Sequence, residues 1–366
     1  MSKKDEFINY VRNGGGSICS PQIGAGAGFD TKLQKKRWIS DTTLDDTISA
    51  VEMFNMHPLL NAALCDLGSC NPAIAWEGGI VSRDEYKILR EFTLKTPVGM
   101  LQVKSVEEMY NAPFNQKYAI TGEDDLDPFE YYLDAVVNSD FSYVTKYVKN
   151  IVDKINGRAA LSIQWAMQPY EMLCFPNTID TVMLSMDYPE RFKALMDKIV
   201  KLDEKLIEAV ARGGADFVFL GAPGVEMLSP MHYENYIIPY SQIVASIAHS
   251  RNLMIYSHIC SPIEPFLSKG YYNKMGIDLF ETLSPPPVGN IASLEDALTK
   301  IDTGICTRGN IGLDILLNSE PDKIKEEVYK IIKASKGRKH IVAASDYLFY
   351  QTPEENVHAM CEAVKS

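Results

Sequence analysis

The chain has 366 residues, 46% of them hydrophobic and 23% charged, which is enough apolar material to bury a sizeable core in one large unit. Its 36 basic and 48 acidic residues leave a net charge of -12, which on average repels a nucleic-acid backbone or an anionic membrane surface and leaves small molecules or another protein as expected partners. Seven cysteines, scattered at positions 19, 65, 70, 174, 260, 306 and 361, read as reduced thiols. The start MSKKDEFINYVRNGGG has no apolar signal-peptide core, and no uninterrupted apolar run approaches the ~20 residues of a membrane span, so a cytoplasmic protein is expected.

Along the chain, eight short apolar runs are separated by helical stretches, the pattern of a parallel sheet with crossover helices. They are SICSPQIG (17–24), NPAIAWEGG (71–79), AALSIQWA (159–166), ADFVFLGA (215–222), LMIYSHIC (253–260), IDLFETL (277–283), GICTRGN (304–310) and HIVAASD (340–346). Eight such strands predict an α/β fold, a (β/α)8 TIM barrel preceded by an N-terminal extension. The glycine-rich NGGGS (13–17) and GAGAGFD (24–30) lack the context of a nucleotide-binding loop and suit the first βα loop.

The stretch from 80 to 155 is too long for a plain crossover, and EYKILREFTLKTPVGMLQVKS alternates as a hairpin would about Thr96-Pro97-Val98-Gly99. It is expected to be a hairpin insertion after the second strand that covers the barrel mouth. The acidic GEDDLDPFE (122–130) reads as a solvated loop and helix start. Helices are predicted at 189–212, 230–250, 321–336 and 353–364, each opened by a proline at its first turn. No linker or repeat divides the chain, so residues 1–366 are expected to form a single domain.

In a parallel barrel the active site lies at the C-terminal strand ends, and here those ends are polar. Trp76 and Glu77 close the second run, Gln164 and Trp165 the third, Ser257, His258 and Cys260 the fifth, Glu281 and Thr282 the sixth, Arg308 and Asn310 the seventh, Ser345 and Asp346 the eighth. His258-Ile259-Cys260 is the sharpest feature: a spacing of two aims an imidazole and a thiolate at one ion, and zinc suits such donors. The pair alone equally fits a core histidine beside an inert cysteine. Asp346 is the first choice for a third ligand, with Cys306, Glu226 and Glu281 as alternatives. Trp76, Trp165 and Tyr347, with Glu77, Glu226 and Glu281, are the expected substrate-binding residues. His57, His232, His249, His340 and His358 read as structural or surface residues.

The blocks GGADFVFLG, LSPMHYENYIIPY, MIYSHICSPIEPFL, ICTRGNIG and TPEENVHAMCEAV resemble, in order and spacing, the uroporphyrinogen decarboxylase superfamily, which includes the methylcobalamin:coenzyme M methyltransferases and related corrinoid-dependent methyltransferases. Residues 1–160 match it only loosely. The resemblance implies a TIM barrel. The arginine-rich R-Q-A-G-R-Y type segment of the decarboxylases is replaced here by SPQIGAGAGFD, which disfavours a polycarboxylate porphyrinogen. The methyltransferase branch carries H-x-C and a later cysteine before a T-P-x-E-N segment as zinc ligands; His258 and Cys260 match the first two, and Asp346 stands where that branch has its cysteine. What this implies is a zinc-dependent transfer of methyl between a small molecule, such as an aromatic methyl ether, and cobalamin carried by a separate corrinoid protein. A thiol acceptor and a metal-independent decarboxylation are the alternatives. A harder His, Cys, Asp donor set favours an oxygen ligand over a thiol.

Overall fold

The computed structural model describes residues 1–24, 26–167, 172, 178–221 and 228–365. Its strands are β1 (Leu59–Ala63), β2 (Glu77–Arg83), β3 (Lys87–Thr96), β4 (Gly99–Glu108), β5 (Phe114–Lys117), β6 (Ala160–Gln164), β7 (Phe217–Phe219), β8 (Met254–His258), β9 (Leu279–Glu281), β10 (Cys306–Ile311) and β11 (His340–Ala344). Seven of them form one curled parallel sheet in the order β1-β6-β7-β8-β9-β10-β11. Residues 18–20 extend it. Val342 donates to the Ile18 carbonyl at 3.0 Å, Ser20 donates to Val342 at 2.9 Å, and His57, just before β1, donates to Cys19 at 2.9 Å. The sheet thus curls until its last strand and the approach to its first share a neighbour.

Side chains alternate between the two faces of each strand, so the sheet has an inner and an outer core. The outer core packs against the crossover helices. Helix Pro189–Gly213 buries Leu195, Met196, Ile199, Leu202, Leu206 and Val210 at three- and four-residue spacing and ends on left-handed Gly214, with φ 90°. Gly213 lets it lie close against helix Ser142–Ile155, because a Cβ there would fall 2.5 Å from Val148.

The inner core is a separate apolar cluster that includes Leu59, Ala160, Phe217, Leu279, Cys306 and Ile341. It is closed from below by helix Lys3–Asn13, whose start is fixed by a capping box between Ser2 and Asp5 and which buries Phe7, Tyr10 and Val11. Phe7 meets Phe217 edge-on, with ring centroids 6.1 Å apart. The full burial of Phe7 contributes roughly 2–3 kcal/mol.

The structure corrects the predicted second strand. Residues 71–79 do not join the parallel sheet: Pro72–Ile74 is a 3-10 turn, and Glu77 already opens β2 of another sheet. Proline has no N–H to give a central strand. The position belongs instead to β1, paired in register with β6 from Leu59↔Ala160 to Ala63↔Gln164. Between β1 and β6 lies a four-stranded antiparallel sheet, β2-β3-β4-β5, in which β3 and β4 pair from Lys87↔Glu108 to Thr96↔Gly99. Two helices, Leu126–Val137 and Ser142–Ile155, follow it. The helix predicted over 230–250 is broken into Pro230–His232, a π turn Tyr233–Ile237 and Ile238–Ser250, where Pro239 removes one backbone donor. Among the described residues, no helix is long and apolar enough to cross a membrane.

Candidate metal centre

The parallel register assembles the centre. His258 pairs with Glu281 across β8 and β9, and Glu281 with Arg308 across β9 and β10, so three successive strands present an imidazole, a carboxylate and a guanidinium on one face. Tyr256, two residues before His258, shares that face. Beyond β8 comes Cys260, exposed, and beyond β11 comes Asp346, whose Oδ1 accepts the backbone N–H of Tyr347 at 2.7 Å.

One potential ligand atom from each of His258, Cys260 and Asp346 lies within 4.8 Å of the others. His258 Nε2 is 3.2 Å from Asp346 Oδ1. Nδ1 of the same ring donates to Glu281 Oε1 at 2.7 Å, which leaves Nε2 as the atom turned to Cys260 and Asp346. Zinc holds N, O and S donors at about 2.0–2.3 Å in a tetrahedron, which separates donors by roughly 3.3–3.7 Å, so this set fits the ion with small side-chain movements. Three protein donors leave a fourth position for substrate.

Glu281 is fully buried and surrounded by donors. Besides His258 it takes the hydroxyl of Tyr256, Gln22 Nε2 at 3.3 Å and, at 3.1 Å, Nη1 of the equally buried Arg308, a pair in ion-pair range without the alignment of a hydrogen bond. Because a carboxylate only accepts, the chain of bonds has a direction. Tyr256 donates to Glu281 and so accepts from Tyr347, whose hydroxyl lies 3.0 Å away and itself accepts from Asn61 Nδ2 at 2.8 Å and Gln164 Nε2 at 3.3 Å. The Tyr347 ring stacks on His258 with centroids 5.0 Å apart.

The electrostatics follow from burial and these contacts. Burial alone would lower the His258 pKa, but hydrogen bonds to Asp346, Cys260 and Glu281 hold it well above the ordinary 6.5. Burial would raise Glu281, yet the charge of Arg308 and the bonds from His258 and Tyr256 keep it below its usual range. Asp346 is likewise held low, against its burial, by His258 and by the bond from the Tyr347 backbone. Burial raises the phenols of Tyr256 and Tyr347.

A cavity of about 690 Å3 opens over β1 and β6. Its walls include Asp30, Ile39, Thr47, Tyr147, Asn61 and Gln164, and the last two link it to the centre through Tyr347.

Of the predicted substrate-binding residues, Glu281 and Tyr347 lie at the centre, Glu281 as the partner of the His258 ring. Trp76 is half-buried and packs on the outer core. Glu77 is 71% exposed and pairs with Lys95 at 3.0 Å. Trp165 turns its indole N–H to Asp203 at 2.8 Å. Glu226 lies outside the described residues. Cys306 is buried in the inner apolar cluster, where burial pushes its thiol up to about 12. Tyr256, Gln22, Asn61, Gln164 and Arg308 were given no role by the sequence. An arginine inside an otherwise apolar strand run was the available signal for Arg308; the role of Asn61 was hidden because its strand was misplaced.

Known proteins extend these observations. The methyltransferase from Methanosarcina mazei superposes over 100% of this chain and 98% of its own with a TM-score of 0.68 at 16% identity, and so has the same fold. Uroporphyrinogen decarboxylase of Prochlorococcus marinus (strain NATL1A) is 23% identical over 233 residues, 62% of this chain and 63% of that one. That of Geobacter metallireducens is 24% identical over 237 residues, covering 62% and 65%. The match thus spans less than two thirds of the length of these relatives. The family model for uroporphyrinogen decarboxylase (URO-D) matches residues 101–366, and the chain belongs to that family.

Proposed function

We propose that the protein is a zinc-dependent methyltransferase that moves a methyl group between a small molecule, such as an aromatic methyl ether, and cobalamin carried by a corrinoid partner protein. The observation that carries this reading is the convergence of His258 Nε2, Cys260 Sγ and an Asp346 oxygen within 4.8 Å, with the other His258 nitrogen held by Glu281. Family membership and the fold shared with a methyltransferase support it. In this reading residues 1–366 form one (β/α)8 barrel, residues 18–20 occupy the eighth strand position, the first helix is the N-terminal extension, and residues 80–155 are an insertion at the mouth.

His258, Cys260 and Asp346 would hold the ion. Bound there, zinc supplies a Lewis acid for the heteroatom that gains or loses the methyl group. Glu281 accepts the Nδ1 proton and fixes the ring so that Nε2 keeps its lone pair for the ion. Arg308 keeps Glu281 anionic. Tyr347 covers one face of His258 and excludes water from that side. Asn61 and Gln164 bring the wall of the cavity, where the body of the substrate would lie, into the same hydrogen-bonded chain.

The test is metal analysis of the purified protein together with a spectral assay of cobalt methylation on a panel of methoxylated compounds. About one zinc per chain is expected, lost in His258→Ala and Cys260→Ala. Protein without bound zinc, and unable to take it up, refutes the reading. A metal-independent decarboxylase is the second reading, favoured by the relatives' shared name; it predicts carbon dioxide release that chelators leave unchanged. A methylcobalamin:thiol methyltransferase is the third, and cobalt demethylation by thiols would identify it.

A further inference from the structure

Eight segments follow the strand positions at the end of the sheet where His258, Glu281 and Asp346 gather: residues 21–28, 64–76, 165–188, 220–250, 259–268, 282–293, 312–320 and 345–353. None contains a lysine or an arginine, although about one residue in ten of the chain is basic. Acidic residues do occur there, among them Asp66, Glu171, Glu226, Glu264 and Asp346.

The cavity repeats the pattern. Two charged side chains line it, Asp30 and Lys154. Lys154 is half-exposed and already 3.0 Å from Asp45. Asp30 is only 3% exposed and accepts from Thr47 Oγ1 at 2.6 Å and Thr31 N at 3.0 Å, which fills two of the roughly four lone-pair sites of a carboxylate. The basic side chains nearest the mouth are committed elsewhere: Lys32 to the Thr352 carbonyl at 2.7 Å, Lys36 to Asp46, and Arg308 to Glu281. Zinc on His258, Cys260 and Asp346 would not reverse the sign, because a thiolate and a carboxylate offset its charge. A carboxylate or sulfonate entering here loses its hydration and meets no free cation, whereas an ammonium meets Asp30 in a negative field.

We propose that the small molecule this mouth accepts carries no negative charge, and that an ammonium-bearing molecule is preferred to a neutral one of the same shape, with Asp30 as the recognising group. That the molecule carries a transferable methyl rests on the proposed function; its charge class rests on the loops and the cavity alone.

Cys260 is exposed at the centre and reports the local field. Methanethiosulfonate reagents of opposite charge, ethyltrimethylammonium and ethylsulfonate, both transfer their thioalkyl group to the thiolate and release methanesulfinate. The ratio of their rates, normalised to a free thiol, therefore cancels the thiolate fraction. On chelated protein at low ionic strength, with Cys260→Ala subtracting the other cysteines, the cationic reagent should win by about tenfold or more. Asp30→Asn, which keeps the shape of the side chain, and added salt should each shrink the ratio. In parallel, binding of 4-methoxybenzylamine, 4-methoxybenzyl alcohol and 4-methoxybenzoate should fall in that order. A sulfonate reagent that reacts as fast as the ammonium, or a carboxylate probe that binds tightest, overturns the inference; the thiol rates decide alone if no probe binds. Absence of zinc from the same preparation with the charge order intact removes the zinc reading and leaves this inference standing.

Discussion

Exchanging Glu281 for glutamine keeps the shape of the side chain and removes its charge. The carboxylate and Arg308 are both fully buried with Nη1 and Oε2 3.1 Å apart, a separation at which two unit charges attract by roughly 5 kcal/mol in an effective dielectric of about 20. After desolvation, breaking such a pair from one side costs about 3–5 kcal/mol, because it leaves an uncompensated buried guanidinium. Glu281→Gln should therefore lower the unfolding free energy of the chelated protein by that amount, read from urea midpoints. Arg308→Met should do the same. The double variant removes both charges and should lose less than the two single losses combined by at least about 2 kcal/mol. Zinc affinity, measured by chelator competition, should behave differently: it should fall roughly ten- to a hundredfold in Glu281→Gln and stay low in the double variant, since the Nδ1 acceptor is weakened in both. Two results would refute the reasoning: a Glu281→Gln protein within about 1 kcal/mol of wild type, or a zinc affinity that recovers with the second substitution.

Two further outcomes follow from the titrations. His340 is buried, donates from Nε2 to the Gly309 carbonyl at 2.9 Å and uses Nδ1 with Thr307 Oγ1 at 2.8 Å, and burial lowers its pKa from 6.5 to about 4. Between those values the unfolded chain binds the extra proton, so the stability tied to the neutral ring is complete above pH 6.5 and lost as pH falls through 4, about 3 kcal/mol in all. Urea midpoints of wild type and His340→Gln compared across that range should diverge accordingly; parallel curves would contradict it. In the metal-free centre His258 is held well above 6.5, and both it and the Cys260 thiol must lose a proton to ligate. Calorimetry of zinc binding near neutral pH in buffers of different ionisation enthalpy should show close to two protons released per ion, and a value near zero would exclude these two ligands.

Much of the sheet was legible because its strands are short apolar runs with polar ends, and β8 to β11 fall inside their predicted segments. The strand Leu59–Ala63 was not, because NPAIAWEGG is as apolar as LLNAA and periodicity does not weigh the missing donor of Pro72. At the centre, the identity of His258, Cys260 and Asp346 could be read from strand ends, since topology alone gathers such ends. The partnership of Glu281 with His258 could not, because it depends on the register between β8 and β9, which the runs do not encode. Trp165 was misjudged for a similar reason: a strand end sets where a side chain starts, while a buried acceptor on a distant helix, Asp203, sets where it points.

The floor of the inner core also dictates an order of assembly. Tyr10 donates to the carbonyl of His340 at 2.9 Å across 330 positions of sequence, and Cys19 bridges Val342 beside it. The first helix to leave the ribosome therefore waits, its Phe7 and Val11 unhoused, until the last strand of the sheet has been synthesised. Closure of so long a loop places this protein among slow, chaperone-dependent folders, and an affinity tag fused ahead of Ser2 would press on the last contact to form.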